Sequence, residues 1–289
     1  MRNCALGRGD SVFVVTPLNS NPLQDITGTI ALAGAGKMGG AMLAGWLTGG
    51  LDAKRVVVIE PMPSAEINTL VAKGIRLNPT DAATVETLVV AVKPQSFREA
   101  GSMLKARVAP STLVVSIMAG TTMKSLRDTI GGAVVRAMPN TPAAIGRGIT
   151  VAVAANNVSA AQRATADALL RATGAVEWVE DEGLMDAVTA VSGSGPAYVF
   201  LLAEELARAG VAAGLPEALA TKLARETVAG SGELLHRSDL SSSTLRQNVT
   251  SPGGTTAAAL EVLMGKDGMR QLMTRAIAAA TARSKELAK

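Results

Sequence analysis

The segment Gly34-Ala35-Gly36-Lys37-Met38-Gly39 directly follows the apolar run 30–33 and opens a helical stretch. This strand–glycine loop–helix unit constrains the fold more than any other feature of the chain. Alone, a GxGxxG spacing is weak; in this context each glycine has a task. Gly34 permits a tight turn, Gly36 lets a pyrophosphate approach the backbone, and Gly39 lets the helix pack closely on the sheet. The N–H groups at the helix start, including those of Lys37 and Met38, then face the anion. The alternation continues beyond the loop. Short β-branched runs at 55–59, 88–92, 113–117 and 134–138 read as buried parallel strands. Between them, 42–47, 65–72, 97–106 and 123–130 read as helices. Two more strands are expected at 149–154 and 176–179, around a helix at 160–173. The pattern predicts an α/β fold with a Rossmann-type, doubly wound, mostly parallel sheet.

The texture changes near residue 180. From 181 to 289 no β run stands out, and alanine and leucine recur at helical spacing over 198–213, 217–235 and 269–287. Pro216 sits at a helix start, where its missing N–H is harmless. The expected division is a dinucleotide-binding domain over 28–180 and an all-helical domain over 181–289. Apolar helices such as 197–209 need burial on most faces, and about 110 residues make a poor core alone. The helical half is therefore expected to pair with a second copy. Residues 1–27 read as an appendage, either a flexible tail or an upstream mis-assigned start. Their apolar run 12–15 is too short for a signal peptide.

Composition removes most other chemistries. The 289 residues hold one cysteine, Cys4, one histidine, His236, and one tyrosine, Tyr198. An internal disulfide is impossible, which fits a reducing cytoplasm. Zinc lacks its ligands, so no metal is expected. A nucleophilic triad would need His236, which lies at an expected helix end where a cation is favoured. Aromatic residues make up 2%, too few for a base-stacking surface, and a net charge of +4 without a basic block argues against nucleic acid. No apolar run is long enough to span a membrane.

Further candidates lie at strand ends. Glu60 follows the second strand, about 20 residues after the glycine loop. An acidic residue there either binds a ribose 2′-hydroxyl, favouring NADH or mixed use, or is a solvated strand end. Ser64 offers a phosphate donor, but no arginine stands nearby. Val92, Lys93 and Pro94 end a central strand, where Lys93 either bonds the cofactor ribose or is an ordinary surface lysine. Asn140, between Pro139 and Pro142, lies in a stiff loop expected near the nicotinamide, or in a structural turn. In the helical half, Ser192-Gly193-Ser194-Gly195-Pro196-Ala197-Tyr198 reads as a small-residue turn into a helix. Asn248, Ser251, Gly253, Gly254, Thr255 and Thr256 belong to a run of hydroxyls and glycines before the helix 257–263. Free N–H groups there suit a carboxylate.

Taken together, GAGKMG at 34–39, AVKPQ at 91–95, MPNTPA at 138–143, SGSGPAY at 192–198 and NVTSPGGTT at 248–256 resemble the pyrroline-5-carboxylate reductase family. The resemblance covers residue 28 to the end. It implies NADPH- or NADH-dependent reduction of 1-pyrroline-5-carboxylate to L-proline, the last step of proline synthesis. It also implies helical domains interlocked as homodimers, assembled into rings such as a decamer, with both subunits contributing to each pocket. By motif, Ser251, Thr255 and Thr256 hold the substrate carboxylate, and the Thr256 hydroxyl contacts the ring nitrogen as the catalytic group. Family members often prefer NADPH, a preference that Glu60 does not suit. A β-hydroxyacid dehydrogenase shares the architecture but needs a lysine after the small-residue turn. Here Pro196–Leu202 contain none. A nicotinamide-binding scaffold would not need the 248–256 loop.

Overall fold

The computed structural model describes residues 22–288, so the expectation for 1–21 lies outside the described residues. One eight-stranded sheet runs in the order β3-β2-β1-β4-β5-β6-β7-β8. Its central strands are β1 (Ile30–Ala33), β2 (Val56–Ile59), β4 (Thr87–Val90) and β5 (Leu113–Ser116), every residue of which is buried. Burial on both faces explains why these runs are continuously apolar rather than alternating. β3 (Arg76–Leu77) adds a two-residue edge, too short to leave a pattern. β6 (Ala133–Met138) closes the parallel set. β7 (Gly148–Ala154) then runs antiparallel to β6, and β8 (Gly174–Trp178) runs parallel to β7.

Helices cover both faces. α1 (Lys37–Thr48) and α5 (Ala160–Arg171) bury Met42, Leu43, Trp46, Leu169 and Leu170 against one face. The Trp46 indole N–H donates to the Leu169 carbonyl at 2.8 Å, so this fully buried ring keeps its polar atom satisfied. α3 (Pro94–Lys105) and α4 (Met123–Thr129) bury Phe97, Leu104 and Leu126 on the other face. The short α2 (Ala65–Leu70) follows β2 and adds Ile67 to the first core. Residues 22–27 also touch that core: Leu23 is buried, and its Cδ1 would lie 2.4 Å from a Cβ placed on Gly49.

After β8 the described chain is helical: α6 (Met185–Val188), a π-helical turn over Thr189–Gly193, α7 (Gly195–Ala212), α8 (Glu217–Arg237), α9 (Ser242–Asn248), α10 (Thr255–Leu263) and α11 (Met269–Leu287). α7 packs along α8, and α11 folds back onto α6 and the π turn. Within one copy, α7 has no buried residue, and Phe200 is 67% exposed. The burial expected of its apolar face is therefore not supplied by the described residues of one copy. Among the described residues no helix is long and apolar enough to cross a membrane.

Candidate active site

The strand order reverses between β1 and β4, the position at which sheets of this kind take ligands beyond the strand carboxyl ends. The glycine loop follows β1 at that position. Gly34 has φ +89°, and a Cβ there would lie 2.6 Å from the Ala91 carbonyl. A Cβ on Gly39 would lie 2.1 Å from the Gly34 carbonyl oxygen. A Cβ on Gly36 would meet nothing within 4 Å, so its backbone faces open space at the start of α1. Two glycines are thus demanded by the fold, and the third leaves room for a ligand. This geometry fits a dinucleotide pyrophosphate held by the first turn of α1, beside exposed Lys37 and half-buried Met38.

Glu60 directly follows β2. Its carboxylate accepts from the Ala35 N–H at 2.8 Å and from the Met62 N–H at 3.0 Å. Asn78, whose φ is +46°, clamps the Glu60 backbone through both its amide oxygen and its amide nitrogen. Ser64 caps α2 by accepting from the Ile67 N–H, and its hydroxyl donates to Glu66 at 2.9 Å. Glu60, Met62, Ser64 and Glu66 line a cleft of about 670 Å³ together with Lys37 and Lys73.

Val92 is half-buried against the second core, Lys93 is the exposed N-cap of α3, and Pro94 occupies that helix's first turn. Asn140 begins a 3-10 turn over Thr141–Ile145, and its amide oxygen accepts from the Ile149 N–H at 2.9 Å. That bond ties the loop to β7. A second cleft of about 660 Å³ lies where Pro94, Gln95 and Gly120 at the strand ends meet Thr189 and Ser194. Of the small-residue run 192–198 expected as a turn, Ser192 and Gly193 end a π-helical turn over Thr189–Gly193, and Gly195–Tyr198 already form the start of α7. Gly193 admits the Met138 methyl, which would lie 2.5 Å from a Cβ. Its small size thus serves the contact between β6 and the helical half.

The 248–256 run is split by the structure. Asn248 ends α9, Ser251 and Gly253 lie in the loop, Gly254 is the N-cap of α10, and Thr255 and Thr256 form its first turn. Gly253 has φ +69°, and the Gly254 N–H donates to the Ser251 carbonyl at 3.0 Å. No side chain caps α10, which leaves its first-turn N–H groups for a ligand. The bonds that fix the loop run to Arg246, Gln247 and Ser251, within its own segment.

Residues 182–287 match the family model described as pyrroline-5-carboxylate reductase dimerisation, and 29–120 match one described as NADP oxidoreductase coenzyme F420-dependent. A pyrroline-5-carboxylate reductase of Synechocystis is 42% identical over 265 residues, spanning 90% of this chain and 98% of the relative. The chain belongs to the pyrroline-5-carboxylate reductase family. A pyrroline-5-carboxylate reductase structure from Coxiella burnetii agrees at a TM-score of 0.84 and 33% identity, over 91% of this chain and 100% of that one. The Plasmodium falciparum pyrroline carboxylate reductase, solved with NADP bound, agrees at 0.75 and 29%, over 91% and 99%. The pyrroline-5-carboxylate reductase dimerisation match contains the whole 248–256 run. The oxidoreductase match contains the glycine loop, Glu60, Ser64 and Val92–Pro94, and Asn140 lies between the two.

One residue in this reductase framework escaped sequence reasoning. Arg136, in the middle of β6, is 5% exposed and bonds Glu182 at 2.9 Å; the same Glu182 oxygen accepts from the Met123 N–H at 2.8 Å. This ion pair pins the start of the helical half to the sheet and to α4. Its only sign in the sequence is a charge inside an apolar strand. His236 bonds Arg147 at the exposed edge, where Glu233 also pairs with Arg147 and Arg237. Among the described residues there is no His/Cys/Asp/Glu group fit for a metal.

Proposed function

We propose that this protein reduces the C=N bond of 1-pyrroline-5-carboxylate to L-proline with NADH or NADPH, the last step of proline synthesis. The observation that carries this reading is the pairing of two anion-ready helix starts in one chain. One is the open backbone at Gly36, and the other is the uncapped start of α10 behind Ser251–Gly254. The nicotinamide, when bound, supplies the hydride. Gly34, Gly36 and Gly39, with Lys37 and Met38, hold the pyrophosphate; Glu60 and Ser64 face the adenosine ribose; Val92, Lys93, Pro94 and Asn140 border the nicotinamide end.

The residues at the substrate bind and orient. Ser251, Gly253, Gly254 and Thr255 hold the carboxylate, mostly through backbone N–H groups, and Asn248 borders the loop. The Thr256 hydroxyl supports the ring nitrogen. A protonated cyclic imine is already electrophilic, so a chain this poor in histidine loses nothing; placement of the carbon does the work.

We further propose that the protein acts as a cytoplasmic homodimer, with a larger ring such as a decamer as its higher assembly. The exposed face of α7 then finds cover in a second copy, and the 248–256 loop of one protomer completes the cleft of its partner. The test follows NADH and NADPH absorbance with purified protein and 1-pyrroline-5-carboxylate. Rapid oxidation is expected. Its absence in folded, dimeric protein overturns the reading.

A further inference from the structure

We infer that Glu60 makes this reductase prefer NADH over NADPH, because it stands as a fixed carboxylate where an adenosine 2′-phosphate would lie. The inference rests on the nicotinamide-dependent reading above and adds the choice of cofactor to it. Glu60 follows β2 at the cleft, the position from which an acidic side chain meets the ribose 2′-hydroxyl. It is not free to swing aside. Each carboxylate oxygen is held by a backbone N–H, those of Ala35 and Met62, and Asn78 fixes its backbone from both sides. One of those donors belongs to the glycine loop itself, so moving Glu60 also disturbs the pyrophosphate cradle.

A carboxylate accepts hydrogen bonds and cannot donate them. Its remaining lone pairs suit two ribose hydroxyls and oppose a phosphate. Of the hydroxyls that line the cleft, that of Ser64 donates to the Glu66 carboxylate and that of Thr69 to the Glu66 backbone carbonyl, and Glu66 brings a second carboxylate to the same cleft. Lys37 and Lys73 also line the cleft, but among the described residues neither pairs with Glu60 or Glu66. No lysine ion pair therefore offsets either carboxylate among the described residues. Among the described residues no arginine, the side chain best shaped for a phosphate, joins the lining.

The test is calorimetric titration of the full-length protein with NADH and NADPH, without imine. NADH is expected to bind at least about tenfold tighter, a difference of about 1.4 kcal/mol. Glu60→Gln and Glu60→Ala should narrow that ratio by strengthening NADPH. If these variants do not fold, ADP-ribose against its 2′-phosphorylated form on the native protein reads the same discrimination. Equal or tighter binding of NADPH overturns the inference, as does a ratio unchanged in folded Glu60 variants. Selective loss of tight NADPH binding in Lys37→Ala or Lys73→Ala overturns it too, by showing that the lysines outweigh the carboxylates. An NADH preference in protein that fails to turn over 1-pyrroline-5-carboxylate supports Glu60's role and overturns the proposed reaction instead.

Discussion

At the scale of single residues, Gly36 and Gly39 should separate ligand binding from folding. Gly36→Ala meets no atom, so the melting temperature should hold while cofactor affinity falls. Gly39→Ala drives a Cβ into the Gly34 carbonyl and should lower the melting temperature first. Thermal unfolding and cofactor titration on both variants check this. The demand for Gly39 was legible because its contact with the Gly34 carbonyl is local, whereas the approach of Gly34 to Ala91 was not. The bonds of Glu60 to Ala35 and Met62, and of Asn140 to Ile149, were not, because they join positions that only the fold brings together. His236 should be dispensable for turnover, and activity lost in a folded His236→Ala would contradict that. Next to it, the Arg237 side chain, with Arg147 and His236, holds the Glu233 carboxyl below its usual range. Such a group stabilises the folded state above the ordinary carboxylate range and ceases to do so as pH falls through its lowered value. Glu233→Gln should therefore flatten the acid side of the stability profile, seen by denaturation at stepped pH.

Among elements, the joint between β6, α4 and the helical half is the sharpest test. Glu182→Ala leaves Arg136 buried without its partner, which is expected to cost about 3–5 kcal/mol. Denaturant unfolding measures this, and a loss below about 1 kcal/mol would show that Arg136 finds other partners. The main strands and helices were legible because apolar runs buried on both faces differ from amphipathic ones. β3 was not, since two residues carry no period. Nor was the π-helical turn at Thr189–Gly193, whose sequence reads equally as a loop of small residues. The reversal of β7 depends on the Asn140–Arg147 connection, which β-propensity does not describe.

For the whole molecule, the exposed apolar face of α7 calls for a partner. Phe200→Glu should shift the protein toward monomer in sedimentation and remove activity with it. If partner loops complete each cleft, a protomer carrying Thr256→Ala and one carrying Gly36→Val, each inactive alone, should regain activity when mixed. Sites built within one protomer would stay silent. The apolar excess of the helical half was legible in its composition; where the 248–256 loop would act in an assembly was not, because that depends on how two chains would meet. The most direct measurement of the central claim is isotopic. Protein is given 1-pyrroline-5-carboxylate and reduced cofactor deuterated at the transferable position of nicotinamide C4, and the proline is read by mass spectrometry. The account predicts one deuterium, on the ring carbon that was doubly bonded to nitrogen. Proline without deuterium, or no proline from folded dimer, would contradict it.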